Sequence, residues 1–133
     1  MSRLLICLES RCAEAFVRTA LDGRGYVMTV VPSVNDMIET VRRNDFDFIL
    51  MDANFTEMSA IAAIRLLRNM GSEAQIIIGS TESDNLMQQL FLTSVGADEV
   101  RPFRKAVEFL ADCGKYFPPI SGNVVAFRAN AIR

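Results

Sequence analysis

The sequence predicts an α/β fold: a doubly wound five-stranded parallel sheet in the order 2-1-3-4-5, with helices on both faces. Three observations predict it. Five short runs are almost wholly apolar, as strands covered on both faces must be. Each run is followed by a stretch whose apolar residues fall at helical spacing. Turn-forming clusters separate the pieces, with no internal linker or repeat, and right-handed crossovers leave 2-1-3-4-5 as the simplest order.

Residues 3–8 (RLLICL) are the first apolar run. Ala13, Phe16, Val17, Ala20 and Leu21 then mark one face of a helix, which the Asp22-Gly23-Arg24-Gly25 turn ends. Residues 26–31 (YVMTVV) are rich in β-branched side chains and predict a second strand. Ser33, three residues before Asp36, opens a helix in the manner of a capping box, with Val34, Met37, Ile38 and Val41 on one face. Residues 46–51 (FDFILM) predict a third strand that delivers Asp52 at its C-terminal end. A helix through Ile61, Ile64 and Leu67 ends near Gly71, with Arg65 and Arg68 on its solvated side.

Gln75–Gly79 (QIIIG) is the fourth strand and the most apolar. Ser83 is placed to cap a helix carrying Met87, Leu90, Phe91 and Ser94, with Gly96 as its stop. Asp98 to Arg101 predicts a brief fifth strand leading into Pro102, and the last helix runs from about Arg104 to Cys113, stopping at Gly114. One domain over residues 1–117 follows, with a tail over 118–133 that has no acidic residue. For that tail a flexible end, an extra strand and a docking peptide all stay open.

Composition bounds the chemistry. The chain of 133 residues has room for one ordinary domain. Fourteen basic against sixteen acidic residues give a net charge of −2, which is not the footprint of a nucleic-acid binder. At 50% apolar and 23% charged residues the chain builds a core. It has no His, which excludes Ser-His-Asp and Cys-His catalysis and removes the commonest metal ligand. Cys7, Cys12 and Cys113 are scattered, without a CxxC pair, and read as reduced thiols. The N-terminal apolar run is too short for a signal peptide, and no stretch approaches the roughly 18 apolar residues of a membrane span. The expectation is a cytoplasmic domain without membrane or nucleic-acid partners. Most of the seven Met residues read as core filling.

In such a sheet, chemistry gathers at the C-terminal strand ends. Those ends are Leu8-Glu9-Ser10, Asp52-Ala53-Asn54, Ser80-Thr81 and Arg101-Pro102. Carboxylates, hydroxyls and a cation converging there suit phosphate or a hard divalent ion.

The segment FDFILMDANFTEMSAIAAIRLLR and the segment GADEVRPF, in that order, resemble the receiver domain of bacterial two-component response regulators. The likeness extends over about residues 3–115 and implies a flavodoxin-like, CheY-like fold and a signalling function. It implies Asp52 as phosphoacceptor, with phosphate coming from a sensor histidine kinase or phosphotransfer protein. It implies Glu9, Asp52 and the Asn54 carbonyl as Mg²⁺ ligands. Ser80 or Thr81 would supply the hydroxyl that touches the phosphoryl group, and Arg101 would stand where the family has lysine. Pro102 would follow a cis peptide bond. A downstream protein partner would meet the face of the fourth and fifth helices at Gln88, Gln89, Leu92, Arg104 and Lys105.

The chain also departs from the family pattern. Leu8 replaces one acid of the usual pair, so magnesium binding should be weak. Arg101 replaces lysine, and its planar fork predicts an ion pair with Asp52, Glu9 or both. The stretch from Gly96 to Arg101 is two residues short, Val100 stands where an aromatic switch residue would lie nearby, and Thr56 and Ala60 replace a proline and a glycine. These departures predict a divergent, stand-alone module that signals by protein–protein contact. The alternative is a fully phosphorylatable response regulator switched at Asp52. A small phosphate- or cofactor-binding enzyme is the distant reading. ESRCAEA is no phosphate loop, and the aspartate follows the third strand rather than the first. No catalytic activity beyond slow self-dephosphorylation is expected.

Overall fold

Strands form where the apolar runs are. The computed structural model describes residues 2–80 and 86–116. Its strands are β1 (Ser2–Cys7), β2 (Tyr26–Val31), β3 (Phe48–Asp52), β4 (Gln75–Ser80) and β5 (Glu99–Pro102). All pair in parallel, in the order β2-β1-β3-β4-β5 that the sequence predicts. Between and after them lie α1 (Arg11–Leu21), α2 (Val34–Arg43), α3 (Ala60–Asn69), α4 (Leu86–Ser94) and α5 (Phe103–Tyr116).

Strand alternation divides the core in two. Leu5, Cys7, Ile49, Met51, Ile76 and Ile78 face α2 and α3. Leu4, Ile6, Phe48, Leu50 and Ile77 face α1 and α5, where Val17, Leu21, Val107 and Leu110 meet them. Three helices begin on a serine whose side chain takes a backbone N–H. Ser10 accepts from Ala13, Ser33 from Asp36 and Ser59 from Ala62, at 3.1–3.2 Å. Each such cap is worth about 1 kcal/mol. Ser33 is the cap read from the sequence; Ser83 and Thr81 lie outside the described residues.

Several expectations are corrected. Gly114 does not stop α5, which continues to Tyr116; with no left-handed turn required there, glycine only lowers helix propensity by about 1 kcal/mol. Phe46 and Asp47 precede β3 rather than belonging to it. Asp47 is buried and joins three strand starts. Its carboxylate accepts the Arg3 N–H at 2.8 Å, its own N–H reaches the Arg3 carbonyl, and its carbonyl accepts the Gln75 N–H. The apolar stripe of α4 faces outward. Met87, Leu90 and Phe91 are 62%, 63% and 54% exposed, and Leu92 is the one buried residue of that helix.

Arg68 is not a solvated side chain. Its Nε and Nη2 donate to the Gly96 carbonyl at 3.1 and 2.8 Å. Nη1 donates to the carbonyls of Ser72 and Ala74 at 3.0 and 2.7 Å, and Nη2 also meets Asp98 Oδ2 at 2.9 Å. The same Asp98 oxygen accepts the Ile76 N–H at 2.8 Å. Gly96 has a φ of +127°, and a Cβ there would stand 3.0 Å from Arg68 Cγ. Glycine is therefore needed for conformation and for space at once.

Arg68→Ala should lower unfolding free energy by on the order of 2–4 kcal/mol, because partly buried carbonyls and Asp98 lose their donors. Arg68→Lys should recover less than half of that, having fewer donors and no planar fork. Urea denaturation of the three proteins checks both; a parent-like alanine variant would contradict this account of the clamp.

Candidate functional site

Asp52 closes β3 in a half-buried position. Its Oδ2 accepts the backbone N–H of Glu9 at 2.5 Å, joining the heads of β3 and β1. The exposed Glu9 side chain reaches across to the loop after β3. There its Oε1 accepts the Thr56 N–H at 2.7 Å and the Thr56 hydroxyl at 3.1 Å. Leu8 is 3% exposed and packs in the α1/α5 core, so its side chain supports the sheet. Asn35 Nδ2 donates to Glu57 Oε2 at 3.2 Å, tying α2 to the same loop.

Burial raises the Asp52 carboxyl above its ordinary value, the Glu9 N–H opposes that rise, and the negative charge of Glu9 adds to it. The field extends inward. The Cys7 thiol is pushed up to about 12, first by burial and then by the charges of Asp52, Asp36, Glu9 and Glu57.

Arg101 does not join the carboxylates. Asp52 pairs in register with Gly79, and Gly79 with Arg101, so the three lie side by side across the sheet. The space over Gly79 is filled by Phe103, whose Cδ2 would lie 3.0 Å from a Cβ at that position. Phe103 also packs against Phe16, with centroids 5.7 Å apart. With an aromatic ring over the intervening strand, the guanidinium turns outward. It pairs with Glu99 at 3.0 Å and sits 4.9 Å from the centre of the Phe109 ring. The expected contact with Asp52 or Glu9 is thereby corrected. Pro102 is corrected too: the bond before it is trans, since none of the described peptide bonds is cis. An extended Arg101 already satisfies the restriction that proline imposes on its predecessor, and edge strand β5 tolerates the missing donor.

Ser80 is buried at the end of β4, while Thr81 falls outside the described residues. Asn54 is exposed, and its side-chain oxygen lies 3.5 Å from Gln88 Nε2. Gln88 and Gln89 are partly exposed, and Arg104 and Lys105 are exposed. Leu92, 1% exposed, cannot contribute to a docking face. Its side chain points into the α2/α3 core, and the outward face of α4 belongs to Leu86, Met87, Leu90 and Phe91. A groove of about 450 Å³ opens beside Asn54, between the loop after β3 and α4.

Among the described residues, no cluster of three or more acidic or thiol groups is arranged to hold a metal ion. Of the donors expected from the sequence, Asp52, Glu9 and the Asn54 carbonyl, one Glu9 oxygen is engaged with Thr56. That set does not fit a tightly held octahedral Mg²⁺ ion. Reading along the chain missed the Glu9–Thr56 contact, because nothing in the sequence signals that a loop amide 47 positions away will turn toward Glu9.

The sequence profile of the response regulator receiver domain matches residues 4–103. No curated protein matches the sequence. Among solved structures, the Francisella response regulator 1452 receiver domain is similar, with a TM-score of 0.74 and 16% identity over 86% of this chain and 97% of that one. A Burkholderia pseudomallei response regulator, solved with a phosphorylated aspartic acid, a calcium ion and citrate, has a TM-score of 0.74 and 16% identity over 98% and 72%. The chemotaxis response regulator CheY4 of Vibrio cholerae has 0.73 and 18% over 84% and 98%. At these identities the structural likeness concerns the fold.

A raised Asp52 pKa fixes a sign. Between the unfolded and folded values the native state binds more protons than the unfolded chain, so Asp52 lowers stability as pH rises through that window. Asp52→Asn keeps an acceptor for the Glu9 N–H without the charge. It should be more stable than the parent near pH 7 and equal to it well below both pKa values. Urea midpoints at the two pH values check this; a neutral-pH loss of stability in the variant would contradict it.

Proposed function

The chain belongs to the response regulator receiver domain family, and we propose that its domain, residues 1–117, is a divergent module that signals through protein contacts with little use of phosphorylation. Members of this family serve two-component signalling and are not enzymes in general. The observation that carries the reading is the state of the strand ends. Asp52 stands at the phosphoacceptor position, yet the neighbouring Glu9 carboxylate is tied to Thr56, and Arg101 is held by Glu99 and Phe109. Neither the metal donors nor the cation is arranged to receive a phosphoryl group.

What remains is a scaffold with an outward face. We assign partner binding to α4 and the start of α5, through Gln88, Gln89, Arg104 and Lys105 and the exposed Leu90 and Phe91. The partner is a downstream protein, and the setting is cytoplasmic. No helix among the described residues is long and apolar enough to cross a membrane. A second reading has one observation in its favour: the Glu9 N–H meets Asp52 Oδ2, and among the described residues no donor meets Oδ1, which leaves that oxygen for a phosphodonor. In that reading a sensor histidine kinase or phosphotransfer protein loads Asp52, a weakly held Mg²⁺ would supply charge neutralisation, and self-dephosphorylation is slow.

Intact mass after incubation with acetyl phosphate and Mg²⁺ should show little phosphoryl adduct; stoichiometric modification lost in Asp52→Asn would establish the second reading. For a partner recovered by affinity capture, Asp52→Asn should bind within about twofold of the parent. Leu90→Ser with Arg104→Glu should weaken binding by about tenfold or more, the scale of an interface hot spot.

A further inference from the structure

α4 has an apolar surface that its own fold does not cover. Of seven large hydrophobic residues exposed among the described ones, Leu86, Met87, Leu90 and Phe91 lie on this one helix, at 69%, 62%, 63% and 54% exposure. Their spacing of i, i+1, i+4 and i+5 gathers them into one stripe. A nine-residue helix with a single buried side chain has little to hold it, since helices this short are marginal without packing. Beside the stripe lies the groove of about 450 Å³, walled by Phe55, Ile61, Met87, Phe91 and Leu92. A cavity of that size accepts one or two large apolar side chains.

We propose that the groove and the α4 stripe are a docking site for the segment Val125–Phe127 of this same chain. Seventeen residues follow Tyr116, where α5 ends. They include the apolar run Val124-Val125-Ala126-Phe127, then Arg128 and Arg133, and no acid.

Reach selects which part of them arrives. α5 descends from the head of the sheet for 14 residues, about 21 Å. Its end therefore lies at the foot of the sheet, on the face opposite α4. The way back is roughly 20 Å across two helix layers and about as far along the strands, near 30 Å in all. Phe127, eleven residues past Tyr116, reaches about 36 Å and Val125 about 30 Å, whereas Val124 reaches about 26 Å and Ile120 only about 13 Å.

Charge agrees with this choice. The lining of the groove is uncharged, and the carboxylates of Glu9, Asp52 and Glu57 stand on its β3 side. Arg128, next to Phe127, would meet Glu57. A second copy laid face to face would instead bring like charges together. The inference concerns what covers α4 in the isolated chain and stands apart from the question of phosphorylation.

The test compares the full chain with Val125→Asp/Phe127→Asp, following the Met87 methyl resonance and amide exchange along α4. Docking predicts a shifted Met87 methyl and about tenfold faster exchange of α4 in the variant, with β1 and β3 unchanged. Arg128→Glu should loosen α4 in the same way, and Glu57→Arg should restore it. An unchanged Met87 signal and unchanged α4 exchange in Val125→Asp/Phe127→Asp would overturn the proposal. So would α4 protection that rises with protein concentration alongside a dimer in sedimentation, which would make a second copy the occupant.

Discussion

Five N–H groups of one guanidinium hold the foot of the sheet. Arg68, at the end of α3, satisfies carbonyls just before β4 and the turn just before β5, and it shares Asp98 with the first amide of the β4 core. Loops that enter parallel strands carry backbone acceptors that no neighbouring strand can satisfy. A single planar donor set answers several of them at once and so fixes where β4 and β5 begin. Together with Asp47 at the starts of β1, β3 and β4, it places structural polar contacts at one end of the sheet. Asp52, Glu9 and Ser80 stand at the other end.

At that head the contacts are fewer and differently balanced. Among the described residues one backbone amide, that of Glu9, donates to Asp52, and the Glu9 side chain is directed to a loop. Among the described residues the two acids have no paired cation, so the local field is negative, and it adds to the burial that chiefly raises the Cys7 thiol. Register explains the missing cation. Arg101 is two strands from Asp52, and Phe103 takes the position between them.

Much of this was legible in the sequence, for identifiable reasons. Strand order, the Ser33 cap and the placement of Asp52 follow from apolar runs, spacing and crossover handedness, all of which are local or topological. What was not legible depended on contacts distant in the chain. Arg68 looked solvated because its partners come from separate loops beyond its own helix. The spacing of α4 announced a stripe but not its direction: periodicity gives amphipathicity, while the burial of Leu92 instead of Leu90 depends on how the helix is rotated against β5. The reach of Arg101 points to the carboxylates, but sequence does not show the Phe103 ring that intervenes. The trans bond before Pro102 and the continuation of α5 past Gly114 are likewise decided by surroundings.

The seating of Phe103 over Gly79 and against Phe16 has a consequence for how the domain responds to its medium. The head of the sheet is bridged to α1 and α5 by aromatic surface at the place where an ion pair could have stood. Added salt screens exposed ion pairs but leaves apolar contact intact or strengthens it. Warming from the cold strengthens apolar contact as well. This bridge therefore responds little to ionic strength, in contrast to the partly exposed Arg68–Asp98 pair at the foot of the sheet.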